Sequence, residues 1–214
     1  LDGSGGIGSR EKRMPRCGWG WCQIKKDLTR LHGQGGALCS LHQTVPRAEI
    51  QALEFAIKAI LASPLFDTTY RIRSDNAGVV IGWARGPRWC RKSDAAGAWA
   101  RVWAFKDQLD AKKIKIEVIK VKGHITEQEV LDGTWTAYEK AGNDYADKLA
   151  GDAADRHSLG PAWELRIDRI DARTYLVLHR LLAIFKARWQ DRTKTRLAPA
   201  IQLRKPTLKE QVDQ

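Results

Sequence analysis

Four acids at separated positions, Asp2, Glu49, Asp75 and Asp147, and a histidine at His124 are the residues of this chain best suited to chemistry. Carboxylates gathered in one place cannot all stay ionised unless cations neutralise them, and oxygen ligands of this hardness suit Mg²⁺ or Mn²⁺. A pair of such ions can activate water and stabilise the leaving oxygen in an in-line attack on a phosphodiester. Each residue also has a plainer reading. Glu49 falls in the first turn of a helix, where the macrodipole favours an acid. Asp75 stands where a helix N-cap is expected, and His124 and Asp147 would serve equally as solvated surface groups. Convergence of the four acids is what separates the two readings.

The elements that must carry these residues can be read from apolar spacing. Residues 1–8 read as the end of a strand running into a glycine-rich turn, so Asp2 sits on a first strand truncated to a residue or two. Two short strands are predicted over 18–25 and 37–42, separated by a polar, glycine-containing loop over 32–36. From 47 to 62 the stripe Ile50, Leu53, Ile57, Ile60 and Leu61 predicts a helix ended by Pro64, with Glu49 at the edge of its buried face. A strand over 69–74 delivers Asp75 to its C-terminal end, before a helix that begins near Ala77. A further helix over 98–109 carries Trp99, Trp103 and Phe105 as core. The alternating run 114–121 is a strand, broken at Gly123 immediately before His124. Beyond it, the stretch between His124 and Asn143 reads as a long acidic loop of the kind that often belongs to function. A helix opening at Gly142 then carries Asp147.

A chain of 214 residues with 37 Lys and Arg against 25 Asp and Glu has a net charge of +12, which favours polyanions and makes nucleic acid the first partner to consider. A basic surface kept for solubility is the competing explanation. Arg85, Arg88, Arg91 and Lys92 surround Trp89 in one Gly-Pro-containing segment, able to contact phosphates and stack on sugars or bases, or to form a solvated loop. Cys17, Cys22, Cys39 and Cys90 make no paired C-x-x-C spacing, so reduced thiols are expected rather than a zinc ribbon or disulfide framework. No apolar run approaches membrane-spanning length. With no leader and a first residue other than Met, the expectation is a fragment of a longer intracellular protein, nuclear or cytoplasmic and not secreted. After Pro161, Tyr175, Leu178, Leu182, Phe185 and Trp189 predict an amphipathic helix. A basic tail follows it, with Arg192, Lys194, Arg196, Arg204, Lys205 and Lys209. The expected division is a catalytic domain over 1–156 and a helical, basic extension over 157–214.

Across 1–154 the chain resembles the type 1 ribonuclease H family. The matching pieces are Asp2-Gly3-Ser4, Arg47-Ala48-Glu49, Ser74-Asp75-Asn76, Val121-Lys122-Gly123-His124 and Asn143-Asp144-Tyr145-Ala146-Asp147-Lys148-Leu149-Ala150. Each is short, but their order and their placement in a βββαβα-type succession are shared. The resemblance implies an α/β fold, a five-stranded mixed sheet flanked by helices, and metal-dependent cleavage of the RNA strand of an RNA/DNA hybrid. It further implies two Mg²⁺ ions, with Mn²⁺ as a substitute: Asp2 bridging both, Glu49 and Asp75 completing one site, and Asp147 the other. His124 resembles the mobile histidine that assists proton transfer or product release. Gly3 and Ser4 match positions near the RNA backbone, where 2′-hydroxyl contacts distinguish RNA from DNA. Asn76 stands where Ser is common, and the basic segment Arg85 to Lys92 matches a substrate-contacting region of some members. The His-to-Asn connection is longer than in the family pattern. A retroelement polyprotein with an upstream reverse-transcriptase domain fits the resemblance as well as a host enzyme does. The alternative from another class is a ribonuclease H-like module that binds nucleic acid with little or no cleavage; the oligomeric state is open.

Overall fold

Alternation and capping set most elements where the sequence places them. The computed structural model describes residues 1–6 and 15–197. Among these, β1 (Asp2–Ser4), β2 (Gly18–Ile24) and β3 (Arg30–Ala37) precede α1 (Val45–Ala62) and β4 (Thr69–Ser74). Next come α2 (Ala77–Arg85), α3 (Pro87–Cys90), α4 (Ala96–Ala111), β5 (Lys115–Lys120), α5 (Glu127–Leu131), α6 (Ala137–Arg156) and α7 (Pro161–Leu197).

The architecture is mixed α/β, with strands in two sheets rather than the expected one of five. β1, β2 and β3 form an antiparallel sheet in that order, and β4 pairs with β5 in parallel. The physical reason is the shortness of β1. Its three residues pair with β2 at Asp2↔Gly20, Gly3↔Trp19 and Ser4↔Gly18. Toward β4, among the described residues, the Leu1 amino group donates to Arg73 O at 2.9 Å. One hydrogen bond links the sheets without making a ladder.

The parallel pair has a direct consequence for the site. Because Thr69↔Lys115 through Ser74↔Lys120 are in register, the chain leaves β4 and β5 at the same end. Asp75 and the turn at Gly123 therefore emerge together, and Val121 N donates to Ser74 O at 3.0 Å as the strands part.

Behind the strands, Leu53 and Ile57 of α1 pack with Val102 and Leu109 of α4, with Ile72 and Ile116 in the same cluster. Trp83, Trp103 and Trp99 stack in succession, with ring centroids 5.1 and 6.4 Å apart. Glu54, buried on α1, is paired with Lys58 and with Arg101 of α4, both at 2.9 Å. A buried carboxylate persists only with such partners.

Two readings of local sequence need correction. The expected loop over 32–36 is strand β3, and the strand expected over 37–42 is absent. Glycines weaken a strand in isolation, but here they let helix α6 lie directly on the sheet. A Cβ at Gly20 would fall 2.5 Å from Ala146 O, one at Gly35 2.5 Å from Leu149 O, and one at Gly18 would strike Ala150 O. The facing residues Ala146, Ala150, Ala153 and Ala154 of α6 are buried. The stretch after His124 is likewise no long loop. Thr126 and Glu129 form a capping box that starts α5, and Thr136 and Glu139 form a second that starts α6. Lys140 ties the two helices together, pairing with Glu127 at 3.2 Å and Asp144 at 2.6 Å.

Contacts divide the chain between Leu159 and Gly160. The second unit contains α7, which includes the predicted helix and takes in Lys194 and Arg196. Arg204, Lys205 and Lys209 of the expected basic tail lie outside the described residues. Tyr175, Leu178, Leu182, Phe185 and Trp189 are all exposed on α7. Among the described residues, no helix is long and apolar enough to cross a membrane.

Candidate active site

Asp2 reaches the site on the short strand β1. Gly3 N donates to its Oδ1 at 2.7 Å, and Gly3 also lets β1 press against the first turns of α1. A Cβ at Gly3 would lie 2.9 Å from Glu49 N and 3.0 Å from Val45 O. This close approach sets Asp2 beside Glu49, and both are buried, at 6% and 3% exposure.

Asp75 follows β4 and is not the cap of α2. Asn76 takes that role, its Oδ1 accepting from Gly78 N at 2.7 Å and Val79 N at 3.3 Å. The carboxylate of Asp75 is thereby left for the site. One oxygen each from Asp2, Glu49 and Asp75 lies within 4.8 Å of the others. Glu49 Oε2 and Asp75 Oδ1 are buried without a hydrogen-bond partner.

Such a cluster is electrostatically costly on its own. Burial, then the Asp75 charge, push the Asp2 carboxyl up to about 6. Burial, then Asp2 and Asp75, push Glu49 up to about 9. Three hard oxygen donors, two orphaned oxygens and strong mutual repulsion fit a divalent cation of the Mg²⁺ or Mn²⁺ type.

Asp147 is half-buried on α6 and lies outside that triad, yet its charge also raises the Asp2 carboxyl. Its placement follows from the helix-on-sheet packing. The preceding residue, Ala146, turns its carbonyl toward Gly20, and Gly20 is the strand partner of Asp2.

His124 is exposed in the turn after β5, with φ at +51°. The turn itself touches the site, since a Cβ at Gly123 would sit 2.6 Å from Asp75 Oδ2. Lys122 pairs with Glu129, which fastens the turn to α5. Lys122 and the Thr126 backbone and hydroxyl hold the Glu129 carboxyl well below its ordinary value.

Neither a family model nor a curated protein matches the chain. Solved structures do. The PFV RNase H domain matches with a TM-score of 0.53 at 21% identity, over 72% of this chain and 90% of that one. The native Prototype Foamy Virus Protease-Reverse Transcriptase matches with a TM-score of 0.52 at 23% identity, over 74% of this chain and 20% of that one. The fold is ribonuclease H-like.

Within this ribonuclease H-like fold, the remaining expected site residues are spread around the triad's elements. Gly3 and Ser4 lie on β1, partly buried, with Ser4 Oγ accepting from Gly6 N at 3.4 Å. Asn76 is half-buried at the head of α2. Arg85 ends α2, Arg88 is in α3, and Arg91 and Lys92 follow; all four are exposed and none is paired with an acid among the described residues. Trp89 beside them is 39% exposed. Sequence reasoning passed over the Lys122–Glu129 pair and the contact of Gly123 with Asp75. The first had a readable signal in the Thr-x-x-Glu spacing at 126–129; the second had none.

Proposed function

We propose that the chain is a divalent-cation-dependent endoribonuclease that hydrolyses the RNA strand of RNA/DNA hybrids. The observation that carries this reading is the meeting of Asp2, Glu49 and Asp75, from three separate elements, with two buried oxygens left without partners. In this reading Asp2, Glu49 and Asp75 hold one ion, and Asp2 with Asp147 holds a second. When bound, Mg²⁺ or Mn²⁺ supplies an activated water and charge stabilisation for the leaving oxygen. Glu49 would serve as a ligand in its deprotonated form. His124, exposed in the turn beside Asp75, assists proton transfer or product release. Gly3, Ser4 and Asn76 approach the RNA strand, where a 2′-hydroxyl identifies it, and Arg85, Arg88, Arg91 and Lys92 contact phosphates.

The two sheets are then halves of one five-stranded mixed sheet. Residues 1–156 form the catalytic domain and 157–214 a helical basic extension. The match to a protease-reverse transcriptase supports a parent chain with an upstream reverse-transcriptase domain. A second reading, a module that binds nucleic acid without cutting it, is favoured by the position of Asp147 outside the triad.

The test is hydrolysis of a hybrid labelled on its RNA strand, with Mg²⁺ or Mn²⁺, by the wild type and by Asp75→Asn. The expected result is cleavage by the wild type alone, with hybrid affinity and thermal melting nearly unchanged in the variant. Binding without cleavage by the wild type in both metals would establish the second reading. Full activity in Asp75→Asn would remove that residue from the site.

A further inference from the structure

The middle of α7 is apolar over about half its circumference. Tyr175, Leu178, Leu182, Phe185 and Trp189 recur every three or four residues along one stripe, and each is more than half exposed. Val177, Leu181 and Ile184 form a second stripe beside it and are exposed to the same degree. By the same spacing Arg166, Arg169, Arg173 and Arg180 fall on the opposite side of the helix. Apolar surface this wide and continuous on a helix belongs in an interface.

The charges bordering this surface reverse sign along it. Asp168 and Asp171, seven and four residues before Tyr175, continue the first stripe toward the N-terminus, and both are exposed. Arg192, three residues after Trp189, continues it toward the C-terminus, and Arg188, four after Ile184, continues the second; these too are exposed. Two copies of α7 laid side by side in the same direction would set acid against acid and cation against cation. Turned end for end, each copy sets its acids against the other's cations. The spacing matches itself about Arg180. Asp168 and Arg192 each stand twelve residues from it, about 18 Å along the axis, while Tyr175 and Phe185 stand five away and Leu178 and Leu182 two.

We propose that this face of α7 is a self-association surface, and that its occupant is the α7 of a second copy of this chain, packed antiparallel. In that pairing Tyr175 meets the second copy's Phe185, Leu178 its Leu182 and Asp168 its Arg192, and Asp171 falls beside its Arg188. Each contact is made twice, about a twofold axis near Arg180. Tyr175, Phe185 and Trp189 are 63%, 65% and 60% exposed, so these three rings alone offer about 270 to 450 Å² per copy. The leucines and the adjoining stripe bring a pair of copies past the roughly 1,000 Å² that a specific interface needs. Assembly through α7 uses no residue of the acidic site, and so stands apart from the proposed catalysis.

Sedimentation equilibrium of the full 214-residue chain at micromolar concentration is expected to give twice the chain's mass or a multiple of that. Leu178→Asp combined with Leu182→Asp should yield a monomer in which the melting of unit 1 is unchanged. The charges test the direction of packing. Asp168→Asn with Asp171→Asn should weaken association by about tenfold, and so should Arg188→Gln with Arg192→Gln, because either change removes one side of the opposed pairs. In a parallel pair both changes would relieve repulsion, so tighter association in either variant would overturn the antiparallel packing. A wild type that stays monomeric over the whole concentration range, or an assembly that survives the two leucine substitutions, would overturn the proposal itself.

Discussion

Burial leaves Glu49 able to ionise only at the expense of the folded state. Its carboxyl and that of Asp2 are raised in the folded chain, so the folded form holds protons that the unfolded form has released. The sign follows: stability is greatest below the unfolded values and falls as pH rises, toward about 6 for Asp2 and about 9 for Glu49. Glu49→Gln removes the larger effect. In EDTA the variant should be more stable than the wild type, by about 2 to 4 kcal/mol more at about pH 8 than at about pH 5. Chemical denaturation at the two pH values measures this. Added Mg²⁺ should raise the wild type more than the variant, because the substitution has already removed one of the charges that the cation would neutralise. A pH-independent difference would mean that the three carboxyls do not share one field.

Helix α6 owes its seat to absent side chains on β2 and β3 rather than to large apolar ones on its own face. Identical substitutions inside this packing and away from it should therefore have opposite signs. At Gly20 a methyl group would meet Ala146 O at 2.5 Å, so Gly20→Ala should destabilise by about 3 kcal/mol or more and lower the melting temperature by about 6 to 12 °C. Gly151 is inside α6 with nothing near its Cβ position. Gly151→Ala should stabilise by about 0.5 to 1 kcal/mol through helix propensity alone. Melting curves of the two variants decide it, and a stable Gly20→Ala protein would show that α6 does not rest on the strand. Because Asp147 rides on this helix, any shift of α6 also moves a carboxylate relative to Asp2.

Taken as a whole, the chain carries a net charge of +12, and its exposed cations at Arg85, Arg88, Arg91 and Lys92 are concentrated on one short stretch. Cations that reach phosphates release counterions, and the number released sets the salt dependence of binding. Replacing Arg85, Arg88 and Arg91 together by Ala should reduce the slope of log affinity against log salt by about 2 to 3 for a duplex-like ligand. Titrations of a hybrid over a range of salt give the slope directly. An unchanged slope would assign the segment to solvated surface and leave the charge excess to other parts of the chain.

What the sequence alone determined was whatever local pattern encodes. β4 with Asp75 at its end, the start of α2, β5 running into Lys122-Gly123-His124 and the apolar stripe of α1 are all functions of spacing within a few residues. The capping boxes at Thr126 and Thr136 were equally local, and only the length of the connection made it read as a loop. Tertiary structure decided the rest. β3 is a strand because α6 covers its glycines, a cause more than a hundred residues distant in sequence that no propensity reports. Asp75 is free for the site because Asn76 caps instead, a choice between adjacent residues that either could satisfy. The meeting of Asp2, Glu49 and Asp75 depends on the Gly3 approach to α1 and on the parallel register of β4 and β5.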